Sequence, residues 1–223
     1  MSVILNRRSF LHRTMAAGVA LATTPGLARH ASAATSADDA RAFQKSKPDV
    51  IIHRGGYPGW PWVTRAGERL VCVFRDDGIH GFSPTGKIIW TESRDDGKTW
   101  APSRVVVDEP QVDDRNGAVV ELPDGRLLVC YNTYTKDHVS RCMVTSSKDD
   151  GASWSRPTAM AELDARTRAA PIVLASGDLL TPIYRAPGNG SIAARSSDGG
   201  KTWELVEVPD VADFLGDEWD VLE

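Results

Sequence analysis

The sequence predicts an all-β protein, a β-propeller of four-stranded antiparallel blades. Three observations carry that reading: an octapeptide that recurs three times, a glycine turn that recurs in step with it, and a composition with little room for long helices. The octapeptide runs from Ser93 to Trp100 (Ser-Arg-Asp-Asp-Gly-Lys-Thr-Trp) and returns as Ser147 to Trp154 and Ser196 to Trp203, at intervals of 54 and 49 residues. Its pattern, Ser-x-Asp-x-Gly-x-Thr/Ser-Trp, suits a hairpin turn, because short polar side chains bond back to local amides and glycine accepts positive φ. The tryptophan then opens the next strand as a large packing residue. Gly67, Gly125 and Gly177 mark a second set of turns between apolar strands, 58 and 52 residues apart. Thirteen prolines in 223 residues argue against long helices.

Residues 1–33 read as a twin-arginine signal peptide. Arg7 and Arg8 precede Phe10-Leu11, an Ala-rich apolar stretch runs from Met15 to Ala22, no acid occurs before Asp38, and Ala31-Ser32-Ala33 offers a cleavage site after Ala33. The stretch is too short for a membrane anchor. It implies the twin-arginine (Tat) export machinery as a partner, folding before export, and a periplasmic or secreted location. Residues 34–49 form a linker, and 50–223 form the propeller segment.

In the first blade the expected strands are Trp60 to Thr64, Arg69 to Arg75, Lys87 to Ser93 and Thr99 to Val107. The second has Ala118 to Leu122, Arg126 to Thr133, Arg141 to Ser146 and Ser153 to Ala159. The third has Pro171 to Leu174, Leu179 to Tyr184, Ser191 to Ser196 and Thr202 to Val208. Glu218 to Glu223 read as the opening strand of a fourth unit whose turn glycine would fall just past residue 223, which suggests a C-terminally truncated chain of three blades plus one strand.

The formal net charge is −4, and removal of the leader takes away four arginines and no acid. Such a balance disfavours nucleic acid and anionic lipid, so an anionic ligand needs a local arginine cluster. Cys72 and Cys130 each follow a turn glycine by five residues, inside an apolar strand; with Cys142 they read as buried small hydrophobes rather than disulfide partners. No metal-ligand spacing, phosphate loop or nucleophile elbow occurs, and no cofactor is implied.

Ligands of propellers bind at a mouth of the central channel, so charged residues near strand ends are the site candidates. Arg75, Thr133 and Arg185 each stand eight residues after a turn glycine, with Phe74, Asn132 and Tyr184 one place earlier. Arg75 and Arg185, with Arg115 from Asp113-Asp114-Arg115, could form a basic pocket for a carboxylate. Equally, Arg75 and Arg185 could be strand-end residues paired with acids such as Asp76 or Asp77. His80, in a loop between two strands, is the sharpest candidate for proton exchange near neutral pH, the alternative being a solvent-exposed or turn-stabilising histidine.

The three octapeptides resemble the Asp-box, or BNR, repeat of the sialidase superfamily, and the resemblance extends from Tyr57 to the chain end. It implies a six-bladed propeller when intact, with the boxes on the rim away from the catalytic funnel. It also implies a glycoside hydrolase acting on a glycan, with an acidic sugar as the natural class. Gly59-Trp60-Pro61 stands where an Arg-Ile-Pro motif belongs, which removes one expected carboxylate-binding arginine. Val73-Phe74-Arg75 resembles the next landmark, Asp76, Asp77 and His80 lie where an acid/base residue is expected, and Glu218 aligns with the glutamate that polarises a tyrosine nucleophile or is one acid of an acidic tail with Asp213, Asp217 and Asp220. Non-catalytic carbohydrate-binding proteins carry the same boxes, so a silent binding propeller, or an inactive fragment, is the alternative.

Overall fold

The computed structural model describes residues 3–5, 50–185, 190–208 and 219–223. The twin-arginine pair, the Ala33 cleavage position and Glu218 lie outside the described residues. Contacts divide the chain into two compact units, one of Ile4–Ile51 and one of Ile52–Glu223 with Met1–Val3. β1 (Val3–Leu5) and β2 (Val50–His53) pair as a two-stranded sheet.

The larger unit holds three antiparallel sheets in chain order. The first contains β3 (Gly59–Ala66), β4 (Arg69–Asp76), β5 (Lys87–Ser93) and β6 (Arg104–Val107). The second contains β7 (Asp113–Glu121), β8 (Leu127–Tyr134), β9 (Ser140–Ser147) and β10 (Thr158–Ala159). In the third, β11 (Ala165–Thr167) and β12 (Ile172–Val173) both pair with β13 (Leu179–Arg185), which is followed by β14 (Ser191–Ser196) and β15 (Glu204–Glu207). These are propeller blades in an unclosed, partial ring. Among the described residues, no helix is long and apolar enough to cross a membrane.

The core lies between blades, which explains why the second strands read as continuous apolar runs. In β4, Val71 and Val73 pack with Ile88 and Trp90 against Val119, Leu127, Val129 and Tyr131 of the second blade. The alternate β4 residues, Cys72 and Phe74, pack on the opposite face with Ile89. β8 does the same, sending Leu128 and Cys130 toward Leu179, Ile183 and Ile192 of the third blade. All three cysteines are buried and free, and burial pushes the Cys72 thiol up to about 12.

Three expectations about strands need correction. The fourth strands begin at Arg104 and Thr158 rather than at the box threonine or serine, because Pro102 and Pro157 follow the box tryptophans and cannot donate to a ladder. The third blade has Glu204 at this point, and its strand starts there. The inner strands are longer than the sequence suggests, and each breaks register once: between Gly59 and Trp62, between Arg115 and Ala118, and between Thr167 and Ile172. Residues 219–223 form no strand; Trp219 Nε1 donates to the Ile183 carbonyl and the Glu223 carboxylate accepts from the Ala175 amide.

Each Asp-box closes by the same bonds. Ser93 Oγ donates to Asp95 at 2.8 Å and accepts from the Gly97 amide at 2.8 Å, while the Thr99 amide and hydroxyl donate to Asp95 at 2.8 and 2.7 Å. The set recurs around Asp149 and around Asp198. Because the box joins strands three and four and the glycine turn joins strands one and two, both lie at one end of each antiparallel blade. The loop between strands two and three, which carries His80, lies at the other.

Candidate functional site

At that other end a pocket of about 290 Å³ is lined by Trp60, His80, Arg115, Asn116, Asn132, Tyr134, Arg166 and Tyr184, drawn from all three blades. That volume is at the small end of ligand sites and suits roughly one sugar ring.

Backbone irregularity aims two of these residues. Trp60 and Asn116 sit at the register breaks of β3 and β7 with φ of 48° and 54°. Left-handed backbone at a non-glycine residue is strained, and such bulges re-aim side chains at the edges of sheets. Asn116 Nδ2 is anchored on the Thr167 carbonyl at 2.9 Å, tying the second blade to the third.

The cationic wall comes from two equivalent positions. Arg115 pairs in register with Asn132, seven residues past Gly125, and Arg166 pairs with Tyr184, seven past Gly177. Arg115 lies 4.9 Å from the Trp60 ring and 5.1 Å from the Tyr134 ring, and Arg166 lies 5.5 Å from Tyr134. Aromatic faces stabilise a guanidinium while leaving its edge free for an anion. Burial of Arg115 lowers its pKa from the ordinary arginine value, and the nearby Asp113 carboxylate opposes that shift. Asn132 is 1% exposed, and its Oδ1 has no hydrogen-bond partner among the described residues. A buried amide oxygen left open beside two guanidinium groups is a site for a donor such as a sugar hydroxyl.

Behind the pocket, Asp113 is the hub. It is fully buried, accepts from Arg75 Nε at 2.7 Å and Nη2 at 3.0 Å and from the Ser83 amide at 3.1 Å, and lies 3.2 Å from Arg115 Nε. One part of this arrangement recurs one blade on, where Asp164 accepts from the Ser140 amide at 2.9 Å and precedes Arg166 as Asp113 precedes Arg115.

The sequence candidates divide on this geometry. Arg115 and His80 line the pocket together. The His80 ring packs 5.4 Å from both Tyr57 and Trp60, and its carbonyl accepts from Arg115. Arg75 does not reach the pocket. It is 0% exposed and spends its guanidinium on Asp113, on Asp77 at 2.6 Å and on the carbonyls of Ile79 at 2.6 Å and Gly81 at 3.4 Å, so it shapes the His80 loop from beneath. Asp77 serves the same loop: burial raises its pKa, but hydrogen bonds from Ser83, the Gly78 amide and Thr85 and the Arg75 charge hold it below the ordinary value. Arg185 turns away and pairs with Glu207 at 2.7 Å on the outermost strand. Its expected place is taken by Arg166, which the sequence signalled through Asp113-x-Arg115 recurring as Asp164-x-Arg166 at 51 residues. Among the described residues no cluster of three His, Cys, Asp or Glu side chains is suited to a metal ion.

Residues 115–218 match the family described as BNR repeat-like domain. Among solved structures, a protein of unknown function from Dyadobacter fermentans aligns with a TM-score of 0.62 at 21% identity, covering 70% of this chain and 56% of that one. A Hadza microbial sialidase aligns with a TM-score of 0.55 at 19% identity, over 67% of this chain and 36% of its own. Trypanosoma rangeli sialidase in complex with sialic acid aligns with a TM-score of 0.56 at 18% identity, over 71% of this chain and 31% of its own. The chain thus spans between about a third and just over half of the structures it matches. Three blades closed by Asp-boxes, a BNR repeat-like match over two of them, and these alignments show that the described residues form blades of a β-propeller with the fold of the aligned sialidases.

Proposed function

We propose that the pocket between the three blades binds a glycan through an anionic sugar, in an exported sialidase-like glycoside hydrolase. The observation that supports this most is the convergence of Arg115 and Arg166, at equivalent positions of adjacent inner strands, on one aromatic-walled pocket. A carboxylate between two guanidinium groups gains charge-assisted hydrogen bonds, the aromatic faces suit the apolar face of a pyranose, and the Asn116 and Asn132 amides suit its hydroxyls. His80 is the group at the mouth able to exchange a proton with a leaving oxygen, and Glu218 is proposed as a further catalytic residue. The leader supports delivery beyond the cytoplasm by the twin-arginine route.

The test is binding and hydrolysis of acidic and neutral aryl glycosides by the protein and by Arg115→Ala and Arg166→Ala. Each substitution should weaken acidic ligands about tenfold or more and neutral ones little, as loss of one charge-assisted contact does. Equal losses for both classes would overturn the anionic assignment. A second reading, a binding propeller without catalysis, is favoured by one observation: no carboxylic acid lines the pocket among the described residues. Acidic glycans bound but never hydrolysed would select it.

A further inference from the structure

The Asp-box end carries a clasp repeated between blades, and its two copies differ in charge. In the first, Arg69 opens β4 and reaches Glu92 at 2.9 Å and Asp150, in the box of the next blade, at 2.7 Å. The Trp90 indole fills the space alongside, 5.7 Å from the Arg69 guanidinium and 5.0 Å from that of Arg104. In register, Leu70 pairs with Ser93 and Leu127 with Ser147, so Arg126 is the counterpart of Arg69. The second clasp keeps the arginine and loses its cross-blade acids. Ser146 stands for Glu92, and Gly199 for Asp150, so Arg126 Nη2 donates to the Gly199 carbonyl at 3.1 Å. Its carboxylate partner among the described residues is Asp124 in its own turn, at 2.7 Å.

Three further exchanges act in the same place. Val144 stands for Trp90, leaving a cleft of about 270 Å³ where the first interface holds an indole. Lys201 stands for Ala152, and Arg156 for Pro102. The cleft is lined by Arg126, Arg156 and Lys201 and by the hydroxyl residues Thr145, Ser146 and Ser155, over a floor of Leu128 and Val144; among the described residues no acid lines it. Among the described residues neither Arg156 nor Lys201 has a carboxylate partner. In a chain of net charge −4, three cations brought together from a strand start, a post-box loop and the next blade's box form a local anion site.

We propose that this cleft between the second and third blades is a second glycan site, specific for a sugar bearing a tetrahedral oxyanion ester, sulfate or phosphate. Three cations from separate elements, Arg126 held by Asp124 and the Gly199 carbonyl with Arg156 and Lys201 exposed beside it, match the three free oxygens of such an ester better than the two of a carboxylate. The apolar floor takes the C–H face of the ring.

The experiment is calorimetric titration of the full chain with a sulfated oligosaccharide, its desulfated form, a sugar phosphate, and inorganic sulfate and phosphate. The sulfated sugar should bind in a salt-weakened manner and the desulfated form should not. Competition by the sugar phosphate would extend the site to both esters, and its absence would assign the site to sulfate; either supports an oxyanion cleft. Arg156→Ala with Lys201→Ala should weaken binding at least tenfold, and alanine is tolerated at the second position because Ala152 occupies it in the preceding box. Val144→Trp should block the cleft as Trp90 does. Equal binding of sulfated and desulfated sugars, or parent-like affinity in the Arg156/Lys201 double variant, would overturn the proposal. Binding lost in Arg115→Ala and kept in the double variant would also overturn it, moving the ligand to the mouth pocket and leaving that assignment standing.

Discussion

At the Asp-box end, three turns repeat one set of hydrogen bonds to within 0.2 Å, and the third residue of each box, Asp95, Asp149 or Asp198, is held by its own turn. At the opposite mouth, the first blade contributes Trp60 and His80, the second Arg115, Asn116, Asn132 and Tyr134, and the third Arg166 and Tyr184. There an amide oxygen of Asn132 and a carboxylate oxygen of Asp114 are buried without a partner among the described residues. The Trp90 and Trp154 indole nitrogens at the box end are also buried without a partner among the described residues, so it is the convergence of unlike polar residues on one pocket, against repetition of one turn, that separates a binding end from a structural one.

The largest effect that could break this contrast lies at His80. If the mouth is the reacting end, His80→Ala should lower turnover of a cleaved glycan by roughly 10²- to 10⁴-fold, the usual contribution of a general acid or base. Its melting temperature should match the parent, because the ring is exposed. Unchanged turnover would remove His80 from the chemistry.

Arg75 is expected to behave oppositely. Removing one partner of a buried ion pair leaves an uncompensated charge, so Arg75→Ala should cost about 3–5 kcal/mol of stability in urea denaturation. Arg75→Lys keeps the charge without the fork that spans Asp113 and Asp77, and should cost less. A parent-like unfolding midpoint for Arg75→Ala would show that the guanidinium is not committed to the interior and would return it to the list of ligand contacts.

The same contrast explains what the sequence made legible. The boxes and blades were readable because one octapeptide must form one turn, whatever its neighbours. Arg115 and His80 were readable as a charged strand residue and a loop histidine. Arg185 was misplaced because side chains alternate along a strand: Tyr184 lines the pocket, and the next residue faces away, toward Glu207. Trp60 and Asn116 carried no signal as ligand contacts, since their direction depends on bulges that leave no mark on residue type. Arg75 could be read as ligand-facing or as paired, and only the position of Asp113, 38 residues away, decides between them.

The smallest predicted effects lie in the pH dependence of folding, where the two ends act with opposite sign. Burial pushes Asp114 up to about 7 from 3.8, and the nearby Glu109, Asp108 and Asp113 carboxylates add to the rise against a hydrogen bond from the Glu109 amide. A raised folded value means the folded state binds the extra proton, so this contribution is fully present below about pH 4 and is lost as pH rises through about 7. Asp114→Asn should therefore flatten stability between pH 4 and 7, read as the urea midpoint at each pH. The boxes work the other way. Hydrogen bonds from Thr99 hold Asp95 down to about 2, and those from Ser153 do the same for Asp149, so their contribution is present above pH 3.8 and lost as pH falls through about 2. Both carboxylates are solvent-exposed, so the loss per box is small. The parent should then be most stable near pH 4, with Asp114→Asn removing the upper arm and Asp149→Asn trimming the lower one. A lower arm unchanged in Asp149→Asn would mean that the box bonds, for all their regularity, set the shape of the turn without adding to its stability.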